Sequence, residues 1–159
     1  MTSAGLPRRR PELDGRTFLV CVGAAKTATS WLHARLGATP GVVVSPLEEV
    51  HFFDARFAPG GAPAMDRLAL RRLAFHLAQE GDPVANLRDR PTFRASLDRA
   101  AMILDDDAYL DHFARLCGPD TRTFADITPA CAAFRRALAP RYAFCRERFG
   151  ARVPASWGA

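Results

Sequence analysis

The chain has 159 residues, 48% of them hydrophobic and 25% charged, with a formal net charge of +5. These proportions suit an ordinary globular domain and exclude wholesale disorder, and no apolar run approaches the roughly 18 residues that cross a bilayer. The positive charge is nearly all arginine, 21 Arg against a single lysine, Lys26. The arginines lie scattered among acids, as in Arg88-Asp89-Arg90, without the clustered cations and interleaved aromatics of a nucleic-acid surface, so no nucleic-acid partner is expected.

Residues 1–15 are polar, with Pro and Gly, and are expected to form a flexible leader to a domain spanning 16–159. The basic triplet Arg8–Arg10 is followed by Pro-Glu-Leu-Asp rather than an apolar stretch, so no export signal is read and a cytoplasmic location is expected. Residues 17–22, Thr-Phe-Leu-Val-Cys-Val, form a continuous β-prone run that suits a strand buried on both faces. After a loop of small residues, Ser30 to Leu36 reads as a helix capped by Thr29 or Ser30, with Leu32 and Leu36 on one face and Gly37 as its stop. Residues 41–45 predict a second short strand, and 46–54 an extended acidic-aromatic segment. A Gly/Pro loop over 55–63 leads to an amphipathic helix over 64–80, with Met65, Leu68, Leu73 and Leu77 on one side. Residues 82–105 look Arg-rich and irregular. Asp105–Asp107 then cap a helix carrying Tyr109, Leu110, Phe113 and Leu116. Thr123 to Thr128 predicts a strand or extended piece. Pro129 opens a further helix, Pro140 breaks it, a last helical stretch reaches Phe149, and Ala151-Arg-Val begins like a strand. Strand, short loop, helix, strand is a βαβ beginning, hence an α/β fold with a parallel sheet. The four cysteines, Cys21, Cys117, Cys131 and Cys145, fit no zinc spacing and read as reduced thiols.

Two segments carry chemistry. Gly23-Ala-Ala-Lys-Thr-Ala-Thr-Ser joins the first strand to the first helix. Its small residues let backbone approach an anion, the helix N-terminus presents N–H groups, Lys26 adds a full charge, and Thr27, Thr29 and Ser30 add hydroxyls. It is not a Walker A loop, which needs a longer stretch with Gly immediately before Lys, where Ala25 stands here. A surface turn with an ordinary lysine is the plainer reading of a βα loop; three hydroxyls beside the only lysine count against it. Glu49-Val-His-Phe-Phe-Asp is the second segment. In extended backbone Glu49, His51 and Phe53 share a side and Val50 and Phe52 the other. A carboxylate among aromatic rings suits a general base, although on spacing alone a core-edge segment with a solvated Glu49 is the plainer reading.

Taken together, Phe18-Leu-Val-Cys-Val-Gly-Ala-Ala-Lys-Thr-Ala-Thr-Ser-Trp-Leu, Thr39-Pro-Gly-Val, Glu49-Val-His-Phe-Phe-Asp and Asp126-Ile-Thr-Pro-Ala resemble, in order, the N-terminal half of sulfotransferases that use 3′-phosphoadenylyl sulfate (PAPS), in the bacterial and heparan-sulfate-like branch. The resemblance implies a P-loop NTPase-like three-layer α/β fold and sulfuryl transfer from PAPS, without a metal, to a hydroxyl or amine on a small-molecule, glycan or lipid acceptor. It implies that Lys26 contacts the 5′-phosphate and bridging oxygen, that Thr27, Ala28, Thr29, Ser30 and Trp31 complete the cofactor site, that Glu49 is the general base, and that His51 orients the base or the acceptor. The chain departs from the pattern at Ala28, where the family has Gly, at Glu48 and Ile127, where it has Lys, and at Cys131, where it has Tyr. The two lost lysines argue against an anionic polysaccharide acceptor. The family's second cofactor element, a buried strand leading into Arg-Asp-Pro, holds the 3′-phosphate. Here Ala151-Arg-Val is followed by Pro-Ala-Ser-Trp-Gly-Ala, so a domain truncated at its C-terminus is expected, either a working transferase or an inactive fragment. Two other readings start from the same residues: a P-loop small-molecule kinase, and a non-catalytic degenerate domain.

Overall fold

A computed structural model describes residues 8–21, 28–58 and 60–128. Over these residues the protein is mixed α/β: an open three-stranded parallel sheet and six α-helices. The strands are β1 (Thr17–Val20), β2 (Val42–Val44) and β3 (Thr123–Asp126), in spatial order β1-β3-β2. Thr17 and Val42 both register with Thr123, and Phe18 and Val43 with Phe124. β3 is the inner strand, and Phe124, Ala125 and Asp126 are buried.

Helix α1 (Thr29–Gly37) lies against β2. A Cβ at Gly37 would meet Val44 Cγ2 at 3.2 Å, so the helix approaches the strand at a position without a side chain. On the other face, α6 (Asp107–Leu116) lays Tyr109 and Phe113 over Phe18 and Phe124. The core joins Val50, Phe52, Met102, Tyr109, Phe113 and Phe124. Phe52 stacks on Tyr109 at 4.3 Å, and Phe18 on Phe124 at 4.8 Å. Helices α2 (Phe52–Phe57), α3 (Gly61–Leu77) and α5 (Pro91–Ala101) pack in series, α2 on α3 and α3 on α5.

Several expectations are corrected. β1 is not buried on both faces: it pairs with β3 alone among the described residues, and Phe18 and Leu19 are 38% and 36% exposed. The supposedly irregular stretch 82–105 holds two helices, α4 (Pro83–Asp89) and α5. Asp82 caps α4 by accepting from the amides of Val84 and Ala85, and each helix opens on a proline whose fixed φ and missing N–H suit a first position. The Gly/Pro loop is much shorter than predicted, because α2 runs through Phe57 and α3 starts at Gly61. In α3, Ala69 is buried while Leu77, expected inside, is 55% exposed. Nor is the described part of the leader, 8–15, free. It holds a 3-10 turn (Pro11–Leu13), and the buried Arg10 guanidinium pairs with Asp111 at 2.7 Å and Asp107 at 3.0 Å, fastening it to α6. The helices expected after Pro129, the strand expected at 151–153, and Cys131 and Cys145 lie outside the described residues. No helix among the described residues is long and apolar enough to cross a membrane.

Candidate functional site

In an open parallel sheet the carboxyl ends of all strands face one way, and the segments that leave them line a common crevice. Among the described residues these are 45–51 after β2 and Ile127–Thr128 after β3, with Ala28 at the start of α1.

Residues 45–51 have no regular structure, so their backbone groups need partners from elsewhere. The side chains of three other elements supply them. Thr128 Oγ1 accepts from the amides of Val50 (3.1 Å) and His51 (3.3 Å). Arg72 on α3 donates to the Glu49 carbonyl at 2.7 Å, and the buried Arg99 on α5 donates through Nε to the Val50 carbonyl at 2.7 Å. The clamp fixes a strained turn, because His51 is left-handed at φ 55° and caps α2. The helix starts at Phe52, so the backbone is not extended through Phe53 as the alternation assumed. Val50 and Phe52 still both face the core.

The turn brings three titratable side chains together. His51 Nε2–H donates to Glu49 Oε2 at 3.0 Å and Nδ1–H to Asp54 Oδ2 at 2.7 Å. A neutral imidazole carries one N–H, so two carboxylates on its two nitrogens favour the imidazolium. Burial alone pushes His51 down, but the hydrogen bond and charge of Asp54, with the charge and hydrogen bond of Glu49, outweigh it and raise its pKa above the usual histidine value. Glu49 Oε1 has no hydrogen-bond partner among the described residues, and the side chain is 35% exposed.

Beneath this turn Asp126 is fully buried, accepting from Tyr109 Oη at 2.9 Å and Thr128 Oγ1 at 2.5 Å. Burial pushes its carboxyl up, against the pull of those two donors and the His51 charge. Thr128 thus passes a hydrogen bond from a buried acid to the amides of the site.

The phosphate-cradle residues are partly in view. Lys26 and Thr27 lie outside the described residues. Ala28 is left-handed at φ 60° and caps α1 without a side-chain bond. The first-turn amides of Thr29, Ser30 and Trp31 have no intrahelical carbonyl to bond. Thr29 is buried, and Trp31 is 67% exposed. Neither Thr29 nor Ser30 caps the helix, as the sequence predicted. Ser30 instead donates to Glu48 Oε1, and His33, one turn on, bonds the Ser45 carbonyl at 2.8 Å. The two motif segments are therefore tied to each other.

A second cluster, invisible in the sequence, lies behind residues 45–47. His112 on α6 pairs through Nδ1 with Asp98 (2.9 Å) and through Nε2 with Ser45 Oγ (3.0 Å). The order Ser-His-Asp is that of a hydrolase triad, but Ser45 is 2% exposed and its oxygen also accepts the Leu47 amide. It works as a cross-tie. Burial alone would raise the Asp98 pKa, but hydrogen bonds from His112 and Arg115 and their charges hold it below the usual carboxylate value.

Asp54, Arg72, Arg99, Asp126 and Thr128 thus join Glu49 and His51. Of these, Asp54, Asp126 and Thr128 lie inside the motif segments, whereas the two arginines have no local signal. Among the described residues no group of three or more His, Cys, Asp or Glu side chains is arranged to hold a metal ion. No family model, curated protein or solved structure matches the chain.

Proposed function

We propose that the chain is a sulfotransferase domain that takes the sulfuryl group of PAPS to a hydroxyl or amine acceptor. The observation that carries this reading is the meeting of the two motif segments, Ser30 on Glu48, with Glu49 next in line and its Oε1 unengaged among the described residues. The all-parallel order β1-β3-β2 supports reading the sheet as part of a P-loop-like fold.

The described part of the cradle fits an anionic phosphosulfate: among the described residues no side chain caps the α1 N-terminus, where the positive end of the helix dipole lies. When bound, PAPS supplies an activated sulfuryl group on a phosphate leaving group. Lys26 and the first-turn amides of Thr29 and Ser30 would hold its 5′-phosphate, with the hydroxyl of Thr27 and the backbone of Ala28 and Trp31 completing the set. Glu49 would accept the acceptor's proton at Oε1, while His51, braced by Asp54, holds the other carboxylate oxygen in place.

The test is a calorimetric titration with adenosine 3′,5′-bisphosphate. Lys26→Ala is expected to weaken binding by about tenfold or more, the worth of one charge-assisted phosphate contact. Glu49→Gln should bind like the wild type and lose transfer of radiolabelled sulfate. Equal affinity of wild type and Lys26→Ala removes the cradle. Binding of magnesium-ATP in place of the bisphosphate would favour the kinase, and no nucleotide binding at all a non-catalytic domain.

A further inference from the structure

Beside the Glu49 turn, between α3 and α5, opens a cavity of about 540 Å³. The cavity is wide-mouthed, and its volume falls within the range of small-molecule sites. Its apolar wall is Leu47, Leu68 and Phe75, with Phe75 64% exposed on α3 and available to a ring or chain. Its charged rim is Arg71 and Arg72. Arg72 is the residue that donates to the Glu49 carbonyl, so the rim and the candidate base share a side chain. Arg71 has no ion pair or hydrogen bond among the described residues. Among the described residues no carboxylate lines the cavity, whereas Asp111 pairs with the buried Arg10 and Asp66 with the buried Arg99.

The wall also contains Ser96, and here a second observation points to a ligand. Ser96 is 1% exposed, and its Oγ is the one buried side-chain oxygen or nitrogen among the described residues that lacks a partner. An unpaired buried hydroxyl is destabilising, so its presence asks for a partner beyond the described residues, which a ligand would supply. The remaining lining residue, His76, is stacked on Phe93 at 5.3 Å.

We infer that this cavity takes a small amphipathic anion: an aromatic or aliphatic body on Leu47, Leu68 and Phe75, an acidic group on Arg71 and Arg72, and a polar atom on Ser96. Resting on the sulfotransferase reading, this compound is the acceptor, whose hydroxyl or amine reaches Glu49 while its anionic end is held across α3. The site itself does not depend on that reading, and binding can be measured without a sulfuryl donor.

The probe is 4-hydroxyphenylacetate, with the uncharged 4-hydroxyphenethyl alcohol as its control, titrated calorimetrically into the full chain. The acid is expected to bind about tenfold more tightly than the alcohol, as one charge-assisted contact requires. Arg71→Ala should abolish that preference. Ser96→Ala should raise the melting temperature and weaken binding of both compounds. Equal affinities, no saturable binding of either compound, or an Arg71→Ala variant that keeps the preference would overturn the inference. Failure of bisphosphate binding with the acid preference intact would defeat the sulfotransferase reading and leave this site standing.

Discussion

Thr128→Val probes the clamp on the Glu49–His51 turn with almost no change of shape. The hydroxyl it removes serves three groups at once: it accepts from Val50 N at 3.1 Å and His51 N at 3.3 Å and donates to Asp126 Oδ1 at 2.5 Å. The Val50 amide is buried and has no water to turn to, so its loss alone costs about 1–3 kcal/mol. The His51 amide is only half-buried and belongs at the low end of that range, but the left-handed residue it belongs to is then free to relax. Asp126 keeps Tyr109 and the Thr128 amide and loses one of three donors in a fully buried place. Together these give a loss of about 3–5 kcal/mol, a large share of the 5–15 kcal/mol that holds a typical domain together. Thr128→Ser keeps the hydroxyl and removes one methyl group, for about 1 kcal/mol. The assay is urea unfolding of wild type and both variants, followed by circular dichroism. The valine variant should unfold at much lower urea than the serine variant, with similar slopes. Stabilities of the two variants within about 0.5 kcal/mol would refute the clamp, since that is the usual size of an inconsequential surface change.

Three further outcomes follow from the geometry. The raised pKa of His51 means that its contribution to stability is complete below the unfolded histidine value, about 6.5, and is lost as pH rises through the higher folded value. Unfolding free energy should therefore fall across that window, and His51→Gln should flatten the fall; a wild-type profile that rises there contradicts the bracketed imidazolium. Asp98 has the opposite sign: its lowered pKa gives stability that is present above about 3.9 and lost as pH drops through the folded value. Asp98→Asn should cost about 2–3 kcal/mol at neutral pH, the worth of hydrogen bonds to a charged group, read by thermal or urea unfolding. Ala28→Gly should stabilise by up to about 1 kcal/mol, because left-handed backbone costs an alanine about 1–2 kcal/mol and glycine's extra unfolded freedom returns part of that. A destabilised glycine variant would show that Ala28 does not hold this conformation in solution.

The legible parts of the sequence were those with a local cause. The apolar runs at 17–22, 41–45 and 123–128 each contain a strand, because a strand declares itself by a few adjacent side chains. Glu49 and His51 were visible as a pair for the same reason. Asp54 stood in the same segment, but its role depends on a helical turn beginning at Phe52, and alternation cannot express a spacing of three. Helices α4 and α5 were hidden by their arginines, although Asp82-Pro83 and Arg90-Pro91 are ordinary helix openings. Arg72 and Arg99 reach Glu49 and Val50 from 23 and 49 residues away, and no local pattern separates them from the other arginines. The burial of β1 is not legible in residues 17–22, because a run of apolar residues reports a strand's tendency to be covered, not its place in the sheet.

The inner position of β3 has a kinetic consequence. Among the described residues β1 and β2 are not neighbours; each pairs with Thr123–Asp126, so Thr17 waits for Thr123 to arrive. During synthesis, both strand segments and the whole succession α2 to α6 leave the ribosome before the sheet can close. Such distant pairing makes folding slow, and the unpaired Phe18 to Val20 and Val42 to Val44 are the surfaces through which the unfinished chain would meet a chaperone or another copy of itself.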